Sequence, residues 1–151
     1  MTDNGHWNFP SIIDTSMWFG FIYRITELDT GREYVGKKNF RSMRRVTVKG
    51  RKNKKITYKD SDWKSYTGSS KELNEQISLK GMSNYKFDIL SLHETKGSLY
   101  YAEVRLQVME NVLREKMGSG IKKYFNKNIA SVKFIPPDDT DNEQKFQNRG
   151  F

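Results

Sequence analysis

Phe19-Gly20-Phe21-Ile22-Tyr23-Arg24-Ile25-Thr26-Glu27-Leu28-Asp29-Thr30-Gly31-Arg32-Glu33-Tyr34-Val35-Gly36 is the stretch that decides the fold of this 151-residue chain. Phe19, Phe21, Tyr23 and Ile25 recur at every second position, the period of a half-buried strand. Asp29-Thr30-Gly31 then supplies turn chemistry before a second aromatic strand, Tyr34-Val35-Gly36. The stretch predicts a β-hairpin that carries one tyrosine on each arm.

Beyond the hairpin, Arg45-Val46-Thr47-Val48-Lys49 and Lys55-Ile56-Thr57-Tyr58-Lys59 flank a Gly-containing basic loop. Both flanks alternate β-branched with basic residues, which predicts a basic β-ribbon able to lie in a duplex groove or above its phosphates. Ser69-Ser70-Lys71-Glu72 reads as a capping box opening a helix, with Leu73 and Ile77 on one face and Gly81 at its end. Lys86–Leu92 is mostly apolar and reads as a third strand, central or well covered. A long helix is expected from Ser98 to about Met117, where Leu99, Ala102, Leu106, Met109 and Leu113 form a stripe. Glu103 borders that stripe, placed to be half buried and aimed at a neighbouring site, and Glu110 lies one heptad later on the same face. Tyr124 to Phe134 adds a short strand or a turn.

These elements predict an α/β fold of the α+β type: a small, mainly antiparallel three-stranded sheet flanked by helices, with the ribbon as an insertion at about residues 41–60. One domain is expected over residues 18–135, between a polar leader, 1–17, with Trp7, Phe9 and Pro10 as packing anchors, and a polar tail, 136–151. Apolar residues make up 35% of the chain, and no run approaches the roughly eighteen that a membrane span needs. The start lacks signal-peptide features, so a soluble, cytoplasmic protein is expected. The absence of cysteine excludes disulfides, zinc knuckles and thiol catalysis.

Charge narrows the partner. The net charge is +9, and Lys37, Lys38, Arg41, Arg44, Arg45, Lys49, Arg51, Lys52, Lys54, Lys55 and Lys59 follow one another with no acidic residue among them. Such a patch is the footprint of a polyanion, because each phosphate it neutralises releases counterions. No amphipathic helical period accompanies it, which disfavours a membrane surface.

Phe21-Ile22-Tyr23 followed by Tyr34-Val35-Gly36 resembles the signature of the GIY-YIG nucleases, with Phe21 where that family usually has glycine. Asp62-Trp63 through Tyr66-Thr67-Gly68-Ser69-Ser70-Lys71-Glu72-Leu73 is similar to the Tyr-x-Gly-Ser segment of small phage-type members, and Glu103 and Phe125-Asn126 follow in the family's order. The resemblance implies a DNA endonuclease that hydrolyses phosphodiester bonds, double-stranded DNA being the expected substrate. It implies Tyr23 and Tyr34 in the active site, one phenol helping to deprotonate the attacking water, and Glu103 as the ligand of a single Mg²⁺ or Mn²⁺ ion, with no other cofactor. It also implies an arginine steadying the transferred phosphate. Arg44 stands nearest the expected place, with Arg41 and Arg45 as competitors, and Lys37 and Lys38 are further candidates for phosphate contact. Asn126 or Asn128 supplies the trailing asparagine. Contacts to DNA then fall to Lys37, Lys38, Arg41, Arg45, Lys49, Arg51, Lys52, Lys54 and Lys55. The family histidine after the arginine is missing, and His6 and His93 have no ligand-pair spacing. The alternative is a nucleic-acid-binding protein that keeps the fold without catalysis, and an RNA-directed nuclease is a third reading.

Overall fold

In the computed structural model, which describes residues 3–131, 133, 135 and 136, the hairpin forms where the alternation places it. Strand β1, Gly20–Glu27, pairs antiparallel with β2, Glu33–Asn39, Tyr23 facing Gly36 and Ile25 facing Tyr34. The next two strands, β3 (Arg41–Val46) and β4 (Lys55–Asp60), form the separate two-stranded ribbon, and β5, Tyr85–His93, pairs antiparallel with the other side of β1. The main sheet thus has the order β2-β1-β5.

The central strand is β1, and the apolar run at Lys86–Leu92 is the well-covered strand beside it, the second of its two expected places. Phe21, Tyr23 and Ile25 enter one core layer and Ile22 the other, so β1 is covered on both faces. Phe19, just before the strand, packs with Ile22 and not with Phe21. Strand β5 reads as continuously apolar for another reason: its register against β1 shifts between Ile22 and Tyr23, leaving Leu90 as an extra residue packed in the layer opposite Ile89.

Helix α1, Lys71–Lys80, puts Leu73 and Ile77 into the layer of Phe21 and Tyr23, while α2, Lys96–Met109, covers the other face with Leu99, Ala102 and Leu106. The cap of α1 differs from the expected box. Ser70 is the N-cap and its hydroxyl accepts from the Leu73 N–H, while Glu72 turns to Arg32. Helix α2 is shorter than its stripe suggests, because Asn111 takes a left-handed conformation (φ 53°) that turns the chain. Met109 and Leu113 are consequently exposed, and Val112 is the residue that is buried.

The N-terminal stretch joins the same core. Trp7 is buried against Phe21, Tyr23 and Phe87, and Asn8 hydrogen-bonds the outer edge of β5 at Phe87 and Ile89. Among the described residues no helix is long and apolar enough to cross a membrane. The tail from 137 onwards, Val132, Phe134 and the first two residues lie outside the described residues.

One buried carboxylate ties the hairpin turn to α1. Glu27 is 2% exposed and is held by Tyr85 Oη (2.7 Å), Thr30 Oγ1 (2.5 Å) and Lys80 Nζ (3.2 Å). Burial alone would raise its pKa, but these three donors outweigh burial and hold it below the ordinary value. A carboxyl depressed in the folded state contributes stability above its unfolded pKa and loses it as pH falls through the folded one. Glu27→Gln should therefore cost about 1–3 kcal/mol near neutrality, and its stability should decline less on acidification than that of the unmodified protein. Urea titrations at neutral pH and below about pH 4 measure both, and parallel stability curves would refute the assignment.

Candidate active site

An edge strand leaves every second amide group without a partner, and the site grows from how β2 fills those positions. The Glu33 N–H donates to Lys123 O, and Glu33 O accepts from the Phe125 N–H. Two residues on, Val35 is held by the side chain of Asn126, whose Oδ1 accepts from the Val35 N–H (3.0 Å) while its Nδ2 donates to Val35 O (2.7 Å). Gln107 of α2 donates to the same carbonyl at 3.1 Å. At the third position the Lys37 main-chain N–H faces the carboxylate of Glu103 and, with the Lys37 charge, favours its ionised form. The geometry of β2 thereby fixes a carboxylate carried by the helix on one face of the sheet.

Tyrosines occupy the other face. Tyr23 is 1% exposed, its ring 6.1 Å from those of both Tyr34 and Tyr66. The hydroxyls of Tyr23, Tyr66 and Ser69 follow one another closely enough to act on each other, and the Ser69 hydroxyl is hydrogen-bonded to that of Tyr34 at 2.9 Å, so four hydroxyls stand in one string. Two glycines make room for it. A Cβ on Gly36 would stand 2.6 Å from Tyr23 Oη, and one on Gly68, at φ +86°, would stand 3.2 Å from the Tyr34 ring. Burial, reinforced by the negative charges that Tyr34, Tyr66 and Glu103 can carry, pushes the Tyr23 phenol well above its ordinary pKa. Tyr23 is therefore a neutral hydrogen-bonding strut at any physiological pH.

Where the two faces meet at the β2 edge, a cleft opens. It is lined by Tyr34, by Ser69, Ser70 and Lys71 at the start of α1, by Glu103 and Gln107 of α2, and by Phe125, Asn126, Lys127, Asn128 and Ala130 of the C-terminal segment. Glu103 is partly desolvated there, which raises its pKa against the pull of the Lys37 charge and amide. Lys37 itself lies 4.0 Å over the Tyr100 ring. Glu110, the rival on α2, is bound by Arg24 and by Tyr124 Oη and does not line the cleft.

The donor set suits one kind of cation. Among the described residues no three carboxylates or histidines gather at one point, so no all-protein metal cage is formed. A desolvated single carboxylate beside phenol and serine hydroxyls fits a hard cation that keeps most of its shell as water and substrate oxygens. Near it, Gln107 Oε1 is buried without a hydrogen-bond partner.

Of the residues singled out in the sequence, Tyr34, Glu103, Asn126 and Asn128 come together in this cleft, with Tyr23 directly behind Tyr34. Asn126 spends both ends of its amide on Val35, whereas Asn128 is exposed. Arg44, Arg41 and Arg45 do not line the cleft; all three stand on β3 of the ribbon. The ribbon register pairs Arg44 with Thr57, Ser42 with Lys59 and Val46 with Lys55, so Arg44, Lys55 and Lys59 share one face. Met43, Tyr58 and Ile56, with Arg41 and Arg45, occupy the other. Lys49, Arg51, Lys52 and Lys54 are exposed on the connecting loop. Lys38 is held by Asp62 at 2.7 Å and lies over the Tyr66 ring.

Both histidines have structural surroundings. His6 stacks on Phe87 and contacts Tyr66 O, and His93 is buried between Ser91 and Ser98. Residues that sequence reasoning did not assign to the site include Tyr66, behind the cleft, and Ser69, Lys71, Gln107 and Lys127 in its lining. The first three belong to the Tyr66–Lys71 segment already marked by its glycine and serine, so a signal for them was present. For Gln107, one turn beyond Glu103, the spacing was the only one.

A family model described as "Putative endonuclease segE, GIY-YIG domain" matches residues 7–129. No curated protein and no solved structure matches the chain.

Proposed function

This chain belongs to the GIY-YIG nuclease family, and on that premise we propose that it is a metal-dependent endonuclease acting on double-stranded DNA, with Tyr34 and Glu103 at its centre. The observation that carries the reading is their meeting in one cleft from opposite faces of the sheet, each fixed through β2.

Hydrolysis needs an aligned water, a partner for its proton and stabilisation of the charge that grows on the phosphoryl oxygens. Tyr34 is the phenol that reaches the cleft; hydrogen-bonded to Ser69, it orients the attacking water and assists its deprotonation. Tyr23, buried and neutral, holds the hydroxyl string in place from behind. Glu103 would hold a Mg²⁺ or Mn²⁺ ion, which when bound supplies charge stabilisation at the phosphate and at the leaving oxygen. Asn126 acts through Val35, keeping the β2 edge straight between Tyr34 and Lys37. Lys37, beside Glu103, takes the place of the arginine expected there.

Supercoiled plasmid offered with Mg²⁺, and in parallel with EDTA, tests the proposal. Nicking or linearisation in Mg²⁺ alone is the expected result. Binding without cleavage of plasmid, linear, branched or single-stranded DNA, or of RNA, would instead identify a binding protein that has lost catalysis, a reading favoured by the absence of an arginine from the cleft lining. The ribbon is expected to supply affinity: replacing residues 44–57 with a short Gly-Ser turn should weaken duplex binding tenfold or more at about 0.1 M salt and flatten its salt dependence. Affinity for Mn²⁺ should not change. Equal binding isotherms for the two proteins would remove the ribbon from the interface.

A further inference from the structure

The ribbon accounts for positive charge at one end of β2 only. A second group of cations stands at the other end. Arg32, the residue before β2, lies 3.9 Å over the Phe125 ring, donates through Nε to Lys122 O and is paired with Glu72 at 3.1 Å. Lys127 reaches the same Glu72 only at 3.9 Å and is 71% exposed, and Lys71 lies in the adjoining cleft wall. Lys122 is packed beside them with its ammonium donating to Tyr124 O and Asn126 O, and burial together with the charges of Arg32 and Lys127 lowers its pKa. Arg32 and Lys127 thus share one carboxylate, with Lys71 and Lys122 close by. Such crowding of like charge costs stability in the free protein and is relieved when an anion arrives.

We propose that Arg32, Lys71 and Lys127 form a second phosphate-binding surface, which holds the DNA backbone on the side of the scissile phosphate opposite to the ribbon. The proposal rests on the nuclease reading and adds a path for the substrate. Lys71 and Lys127 stand in the wall of the cleft that holds Tyr34 and Glu103, and the ribbon follows the far end of the seven-residue strand β2. At about 3.3 Å per residue β2 spans roughly 23 Å, the length of about seven base pairs of B-form duplex. A mononucleotide could not touch both ends, and a duplex laid along the edge touches both. Glu72 is the internal competitor for the phosphates, occupying Arg32 until the backbone displaces it.

Lys71→Gln/Lys127→Gln and Glu72→Gln, made in the full chain, have opposite expected signs. In anisotropy titrations of a duplex of about 20 base pairs in EDTA, the lysine pair should weaken binding about 5- to 20-fold. It should also reduce the slope of log K against log salt by 1 to 2, since each lost phosphate contact is worth about 0.9. Glu72→Gln should tighten binding about threefold, which a purely structural role for Glu72 would not produce. Phosphate-ethylation interference should lose its signal on one side of the cut in the lysine variant and keep it on the ribbon side. Unchanged affinity and slope in the lysine variant, or weaker binding by Glu72→Gln, overturns the surface even if the protein cuts DNA in Mg²⁺. Failure of every variant to cut, with these binding shifts intact, overturns the nuclease reading and leaves the surface standing.

Discussion

Glu103→Gln should fold normally, bind duplex DNA at least as tightly as the unmodified protein, and cut it more slowly by a factor of about 10³ or more. The three outcomes separate because the substitution changes one property. Glutamine keeps an acceptor facing the Lys37 N–H, and Gln107 still ties α2 to the β2 edge at Val35 O, so the thermal midpoint should move by no more than a few degrees. Removing a negative charge from a cleft that receives phosphate lowers like-charge repulsion, which favours binding in the absence of metal. What disappears is the anionic oxygen that would hold the cation, and a factor of 10³ corresponds to about 4 kcal/mol of transition-state stabilisation. Glu110→Gln is the control on the same helix. Its partners are Arg24 and Tyr124, so it should lower stability while cleavage per folded molecule stays the same. Single-turnover rates in Mg²⁺ for the three proteins decide the matter. A Glu103→Gln rate within tenfold of the original, or a Glu110→Gln rate that collapses in folded protein, would assign the metal site to another residue.

The parts of this site that were readable in the sequence are those encoded by local period or by glycine. Alternation over Phe21, Tyr23 and Ile25 announces β1, and the Tyr34-Val35-Gly36 run announces β2, because strand geometry writes itself into neighbouring positions. The half-buried place of Glu103 was legible from the border of the Leu99–Leu106 stripe, but Glu110 shared that face and the choice between them came from the family resemblance. What stayed hidden depends on partners far along the chain. That Asn126 bonds both backbone groups of Val35 follows from a meeting of residues 91 positions apart, which no periodicity encodes. The end of α2 at Asn111 was masked by Leu113, whose spacing continues the stripe although the helix has already turned away. Ser69 looked like a cap because Glu72 follows three residues later. Ser70 serves the helix instead, which frees Ser69 for Tyr34 and Glu72 for Arg32. Arg44 was counted toward the cleft along the chain, but an insertion that folds into its own ribbon carries it out of the cleft.

Gly36→Ala should cost about 1–3 kcal/mol of stability and lower cleavage by at least about 10²-fold, and adding Tyr23→Phe should restore much of the stability without restoring the cleavage. A Cβ at position 36 would stand 2.6 Å from Tyr23 Oη, 2.9 Å from its Cζ and 3.2 Å from Tyr34 Cε1, so both phenols obstruct it at once. Tyr23 cannot swing aside, since Trp7, Phe21 and Tyr66 enclose its ring. The strand has to yield, and with it shift Tyr34 and the Lys37 amide that positions Glu103. Removing the Tyr23 hydroxyl eliminates the shortest of the three contacts, which is why the double variant should refold more stably than Gly36→Ala alone. The same deletion cuts the hydroxyl string at its buried end, so Tyr34 loses the support that runs through Tyr66 and Ser69, and turnover stays low. Denaturant midpoints and single-turnover rates for the four members of this double-mutant cycle measure both effects. Additive stability losses would show that Gly36 serves the backbone and not the tyrosine pocket, and full cleavage by Tyr23→Phe would show that the string has no part in positioning Tyr34.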